Sequence, residues 1–206
     1  MSHCKALVAN ASSRWIRLVR GIFFGGVLLL MGMVQGAAQP AQIILLRHGE
    51  KPDDPAALHL SARGVERAKA LPSLLGRNSL LTSNAPVAAL FATQVTKHDH
   101  SQRTSETLVP LARDLGLPVQ RPYDAKEYVA LARQVLGQRA YKGKTVIICW
   151  VHHDITELAM ALGAQPPPAP WKDKTFDRLW VLKPDAHGAA VFEDVPQRLL
   201  PGDSKH

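Results

Sequence analysis

With 206 residues, the chain is long enough for one domain with a proper hydrophobic core. Its 46% hydrophobic and 20% charged content excludes a disordered or collagen-like chain. The formal net charge of +8 raises the question of nucleic acid, but residues 1–38 alone carry Lys5, Arg14, Arg17 and Arg20 and no acid. The rest holds 21 basic and 17 acidic side chains with no basic run, so composition makes no case for nucleic-acid binding.

Arg14, Arg17 and Arg20 lead into Gly21–Val34, an apolar stretch of 14 residues, followed by the small residues Gly36, Ala37 and Ala38. A basic flank, a short apolar run and a small-residue site, in that order, mark a secretory signal. A spanning helix needs roughly 20 apolar residues, more than this stretch offers. We therefore expect residues 1–38 to be a signal peptide and residues 39–206 to form a single domain. The protein is expected to be secreted or periplasmic, with no stable membrane span after cleavage, and membrane-anchored only if the signal is retained. Cleavage removes Cys4 and leaves Cys149 alone, so no internal disulfide can form. Cys149 lies in an apolar run and reads as an inert, buried thiol.

Ile43–Leu46 is a continuous apolar run, the pattern of a strand covered on both faces. Ser61 can cap a helix with apolar positions at Val65, Ala68, Leu71 and Leu75, which Pro72 is expected to bend or shorten. Val87–Phe91 reads as a second buried strand. Leu108, Leu111, Ala112 and Leu115 keep helical spacing, and Gly116 supplies the stop. Asp124 and Glu127 have capping-box spacing ahead of a helix bearing Tyr128, Leu131, Ala132, Val135 and Leu136. Thr145–Trp150 is a third strand, and a helix from about Ile155 to Leu162 ends at Gly163. Gln165–Pro170 is a loop; Leu179–Leu182 and Ala189–Phe192 are expected as two more strands at the sheet edge. The alternation predicts an α/β, three-layer domain with a largely parallel central sheet. In such sheets chemistry collects beyond the carboxyl ends of the strands.

Two segments meet that condition. Arg47-His48-Gly49-Glu50 follows the first strand, and His152-His153-Asp154 follows the third. A His beside an Arg, on a Gly turn at a strand end, is placed to meet a phosphate. Four blocks then occur in order: Leu45–Lys51; Leu60–Gly64 with Arg67-Ala68; Ser101–Thr107 leading to Pro110–Ala112; and Val146–His152 with Ile155 and Leu162-Gly163. Through them the chain, from about residue 43 to 182, resembles the histidine phosphatase superfamily, branch 1, whose fold is called phosphoglycerate-mutase-like.

The resemblance implies a phosphomonoester hydrolase with His48 as nucleophile and His152 as the second catalytic histidine. Arg47 and Arg103 would bind the phosphoryl group, with no metal and no cofactor. Chemistry agrees, because a neutral imidazole can take a phosphoryl group whose equatorial oxygens are held by fixed cations. A small phosphorylated substrate is expected: a phosphosugar, a nucleotide or a lipid-linked phosphate. Mutase activity is disfavoured, since an exported enzyme would rarely meet a bisphosphorylated primer.

The sequence departs from the family pattern in two places. Nine residues separate Thr93, which closes the second strand, from Arg103, a longer loop than the pattern has. His98 and His100 in that loop could be read as a metal pair but lack further ligands at useful spacing. His153-Asp154 resembles the pair of the acid-phosphatase branch, although His152 is preferred from its spacing to Ile155. The proton donor stays open between Glu127, which capping already accounts for, and Asp154; Glu50 belongs to the turn. The alternative reading is a phospho-ligand binding protein of the same fold with weak or no turnover.

Overall fold

The computed structural model describes residues 39–205 except 98, 186 and 188. The expected signal peptide at residues 1–38 and His98 lie outside the described residues. In chain order the elements are β1 (Gln42–Arg47), α1 (Ala62–Leu75), β2 (Val87–Ala92), α2 (Arg103–Leu115), β3 (Val119–Gln120) and α3 (Tyr128–Gly137). After a 3-10 turn come β4 (Thr145–Trp150), α4 (Ile155–Ala161), β5 (Ala164–Gln165), β6 (Arg178–Pro184) and β7 (Ala190–Pro196).

The strands form one sheet in the order β3-β2-β4-β1-β6-β7-β5. Neighbours on the β3, β2, β4 and β1 side run parallel, while β6 runs antiparallel to both β1 and β7. Each residue of β1 is buried, and alternate side chains serve different layers. Ile43 and Leu45 pack with Leu131, Val135, Ile155 and Leu158 of α3 and α4. Ile44 and Leu46 pack with Leu71 and Leu75 of α1 and with Leu108 and Leu111 of α2. This two-sided demand is why the strand reads as an unbroken apolar run. The layers are helix, sheet, helix.

Three details differ from the sequence expectations. Pro72 does not shorten α1, which starts on the Ser61 cap and runs on to Leu75. Val65 faces solvent, and Arg67 is buried in the same helix, because a buried ion-pair cluster there outweighs apolar spacing. Leu179–Leu182 is not at the edge: β6 sits inside the sheet beside β1, and two-residue strands β3 and β5 form the edges.

The registers align the site. Arg47 pairs with Trp150 across β1 and β4, and Ala92 pairs with Cys149 across β2 and β4. His48, Val151 and Thr93 therefore leave three adjacent parallel strands at nearly the same level. Behind them two backbones almost touch: a Cβ on Gly64 would lie 2.3 Å from the Glu50 carbonyl oxygen, and one on Gly49 2.9 Å from that of Gly64. Side chains at either position would push the His48 turn off α1.

Candidate active site

Arg47, His48, Arg103, His152, His153 and Asp154 line one cleft of about 860 Å³ above these strand ends. His48 is 3% exposed, and its Nδ1 lies 2.7 Å from the Gly49 carbonyl oxygen. A carbonyl only accepts, so Nδ1 carries the proton and donates it, leaving the lone pair on Nε2. Burial, with Arg47 and Arg103 adding repulsion, pushes the imidazole pKa down to about 3. The ring is neutral at physiological pH. The turn that carries it is held from α2: the Gly49 amide donates to the Thr107 hydroxyl at 2.9 Å, which itself donates to the Arg103 carbonyl at 2.7 Å.

Arg47 is 1% exposed, and burial lowers its pKa to about 10, so it stays charged. Its Nη1 donates to the backbone carbonyls of Lys172, Asp173 and Thr175, and its guanidinium lies 4.1 Å from the Phe176 ring centroid. Arg103 opens α2 and donates from Nη1 to the Ala57 carbonyl at 3.0 Å; burial lowers its pKa. The long loop before it does not carry Arg103 away, because the Thr93 and Thr104 hydroxyls, 2.7 Å apart, clasp the end of β2 to the first turn of α2. In both arginines Nε is buried without a partner among the described residues. A buried guanidinium N–H without a partner is costly to the folded chain.

His152 Nε2 lies 3.1 Å from Asp173 Oδ1, which makes Nε2 its donor nitrogen. Burial, then Arg47 and His153, lower its pKa to about 4. The His153 ring lies tilted against it, 3.7 Å between centroids, but is itself exposed. Asp154 is 6% exposed and pairs with Lys126 Nζ at 2.6 Å instead of capping α4 with its side chain. Glu127 does not line the cleft: its carboxylate accepts the Asp124 amide at 2.9 Å, and Asp124 accepts that of Glu127 at 3.2 Å. The capping box explains that residue.

Glu50 is also engaged elsewhere. It accepts from Arg67 Nη2 at 2.7 Å and from Arg63 Nε at 3.1 Å, while Arg67 also binds Asp203 and Gln197. Arg67 is 2% exposed, and unpairing a buried charge costs about 3–5 kcal/mol, so Glu50 is bound to its structural role. Bonds from Arg67 also bring the Asp203 carboxyl down to about 2 despite its burial. His100 is exposed. Cys149 is fully buried in β4, and burial pushes its thiol well up. Sequence reasoning missed Lys126 and Asp173, polar residues in loops that no motif singles out, and gave Lys51, the last residue of the Leu45–Lys51 block, no role.

No family model matches the chain, and a search of curated proteins finds no match. Solved structures do share its fold. One is the protein histidine phosphatase SixA complexed with tungstate, 16% identical, with TM-score 0.53 over 76% of this chain and 97% of that one. Another is a mycobacterial glucosyl-3-phosphoglycerate phosphatase with inorganic phosphate, 16% identical, TM-score 0.51, covering 75% and 95%. A third, mycobacterial hydrolase 1, is 16% identical at TM-score 0.50, covering 78% and 99%. The fold is that of the histidine phosphatases; at such identities the chemistry is argued from the site.

Proposed function

We propose that the chain is an exported phosphomonoester hydrolase working through a phosphohistidine on His48. The observation that carries this reading is His48 itself, neutral, fixed with its lone pair on Nε2, and sharing a cleft with Arg47, Arg103 and His152. Two of the similar structures are named phosphatases, which supports it. In the first step Nε2 attacks phosphorus while the bond to the ester oxygen breaks. Arg47, Arg103 and His152 meet the charge on the equatorial oxygens, so the chemistry calls for no metal. Water then attacks the phosphohistidine and gives a proton to the carboxylate that protonated the leaving oxygen, the N–P bond breaks, and inorganic phosphate leaves with His48 neutral again. The substrate is a small phosphorylated molecule, such as a phosphosugar, nucleotide or lipid-linked phosphate, whose remainder the cleft accommodates.

The leaving oxygen needs a proton, and Asp154 supplies it in this reading, because it lines the cleft and Glu127 does not. One observation favours the second reading, a phospho-ligand binding protein: the 2.6 Å contact with Lys126 engages that carboxylate. Nitrophenyl phosphate separates the two, since its leaving group departs almost unaided. We expect the purified chain to hydrolyse it. Asp154→Asn should slow alkyl phosphates about 10²–10⁴-fold and nitrophenyl phosphate far less, with Glu127→Gln changing neither much. Binding without turnover of nitrophenyl phosphate selects the binding protein.

Export rests on the order of the N-terminal segments. Among the described residues no helix is long and apolar enough to cross a membrane. A chain starting at Gln39 keeps all of β1 and the Gln39 carbonyl that accepts the Gly143 amide at 3.1 Å. N-terminal sequencing of the exported protein should begin at or near Gln39. Recovery of Met1 in the membrane fraction would make the segment an anchor.

A further inference from the structure

Asp173 carries the observation. Its Oδ1 lies 3.1 Å from His152 Nε2, 3.4 Å from Arg47 Nη2 and 3.9 Å from Lys51 Nζ. All three donors belong to residues that line the cleft holding His48. One carboxylate oxygen thus holds the contacts that a phosphoryl oxygen between Arg47 and His152 would make.

The backbone beneath it is anchored and the carboxylate is not. Arg47 Nη1 binds the carbonyls of Lys172, Asp173 and Thr175, Trp171 Nε1 donates to the Thr175 carbonyl at 2.8 Å, and Phe176 lies against the Arg47 guanidinium. The Asp173 side chain is 63% exposed, so rotation about its own bonds suffices to lift the carboxylate into water. Lys51 first, then His152 and Arg47, hold its carboxyl below the usual range, so the group is an anion and a poor proton donor. That argues against Asp173 as the donor of the leaving-group proton.

We propose that Asp173 is a built-in competitor for the phosphoryl group, closing the Arg47–His152 end of the cleft when it is empty and yielding when an anion enters. The proposal rests on the cleft being a phosphoryl site. While Asp173 is in place, the buried Arg47 and the partly buried His152 keep an anionic partner; as inorganic phosphate leaves, the carboxylate returns and opposes rebinding. A bracing residue that merely ties the segment 171–176 to the sheet would have the opposite effect, since its loss would loosen the Arg47 surroundings and weaken anion binding.

Calorimetric titration of the purified chain with inorganic phosphate decides between them. Asp173→Asn, which keeps the size and removes the charge, and Asp173→Ala should each bind phosphate about fivefold more tightly, the upper scale for removing one exposed, partly screened charge contact. Asp53→Ala removes a carboxylate from the neighbouring cleft and should leave the affinity within about twofold, which separates local competition from net charge. A vanadate complex of the wild type should show Asp173 beyond hydrogen-bonding distance of His152. Unchanged or weaker phosphate binding in both Asp173 variants, with wild type binding normally, overturns the competitor and leaves the hydrolase reading standing. Phosphate binding that survives Arg103→Ala undiminished places the anion elsewhere and overturns both.

Discussion

Replacing His48 with alanine is expected to abolish hydrolysis and covalent labelling together, a fall of roughly 10⁴-fold or more, as for loss of a nucleophile elsewhere. No other side chain at the end of β1 can take its place: Arg47 is charged and bound to the 172–175 carbonyls, and Glu50 is bound to Arg67. Phosphohistidine is acid-labile and alkali-stable, so quenching turnover in base should leave label on His48 in the wild type and none in the variant. His152→Ala should slow the reaction while some label persists. The pH profile carries an independent sign. An ordinary histidine, with a pKa near 6.5, would lose its nucleophilic form tenfold per unit below that pH. With a pKa of about 3, His48 stays neutral, and kcat/KM should not fall from its titration between pH 8 and 5 once the ester's own ionisation near pH 6 is allowed for. A wild type that binds phosphate esters and never labels at His48 ends the hydrolase reading.

The second large effect is expected at Arg103. Arg103→Ala should cost roughly 10²–10³ in rate, the usual loss for one electrostatic stabiliser. The fold should survive, because the first turn of α2 is held independently through the Thr93–Thr104 hydroxyl pair and the Thr107–Gly49 bond. Thermal unfolding close to that of the wild type checks this. Vanadate, which can adopt the five-coordinate geometry, should inhibit the wild type strongly and the variant weakly. Equal inhibition of both would take Arg103 out of the phosphoryl site. Lysine at this position should restore only part of the rate, since a point charge cannot reproduce a planar fork.

Local pattern carried most of the fold into view. β1, β2 and β4 are legible because burial on both faces demands continuous apolar runs such as Ile43–Leu46 and Val146–Trp150, and the Ser61 cap and the Gly116 stop are legible because backbone geometry at a helix end admits few residue types. What misled was competition from distant partners. Val65 keeps helical spacing with Ala68 and Leu71, but Glu50 and Asp203 draw Arg67 inward, and Asp203 lies 136 residues further along the chain. β6 looked like an edge strand because nothing local says that β1 is its neighbour; its four consecutive buried residues, Leu179–Leu182, were the available sign.

The site divides along the same line. The sequence by itself determined Arg47, His48, Arg103 and His152 as candidates, since each sits in a short block whose chemistry and order are local, and placed both histidines at the ends of apolar strands. Tertiary structure decided the rest. The parallel register of β1 and β4 sets the two histidines side by side, and the Thr93–Thr104 clasp returns Arg103 to them across a loop that spacing alone made doubtful. Of the two carboxyl candidates, packing puts Asp154 in the cleft and commits Glu127 to a capping box outside it. Asp173, 126 residues from Arg47, reaches it only because the chain between α4 and β6 crosses over the ends of the strands. Charge contacts of this kind act through space between segments that share no local pattern, so only the folded chain brings them together.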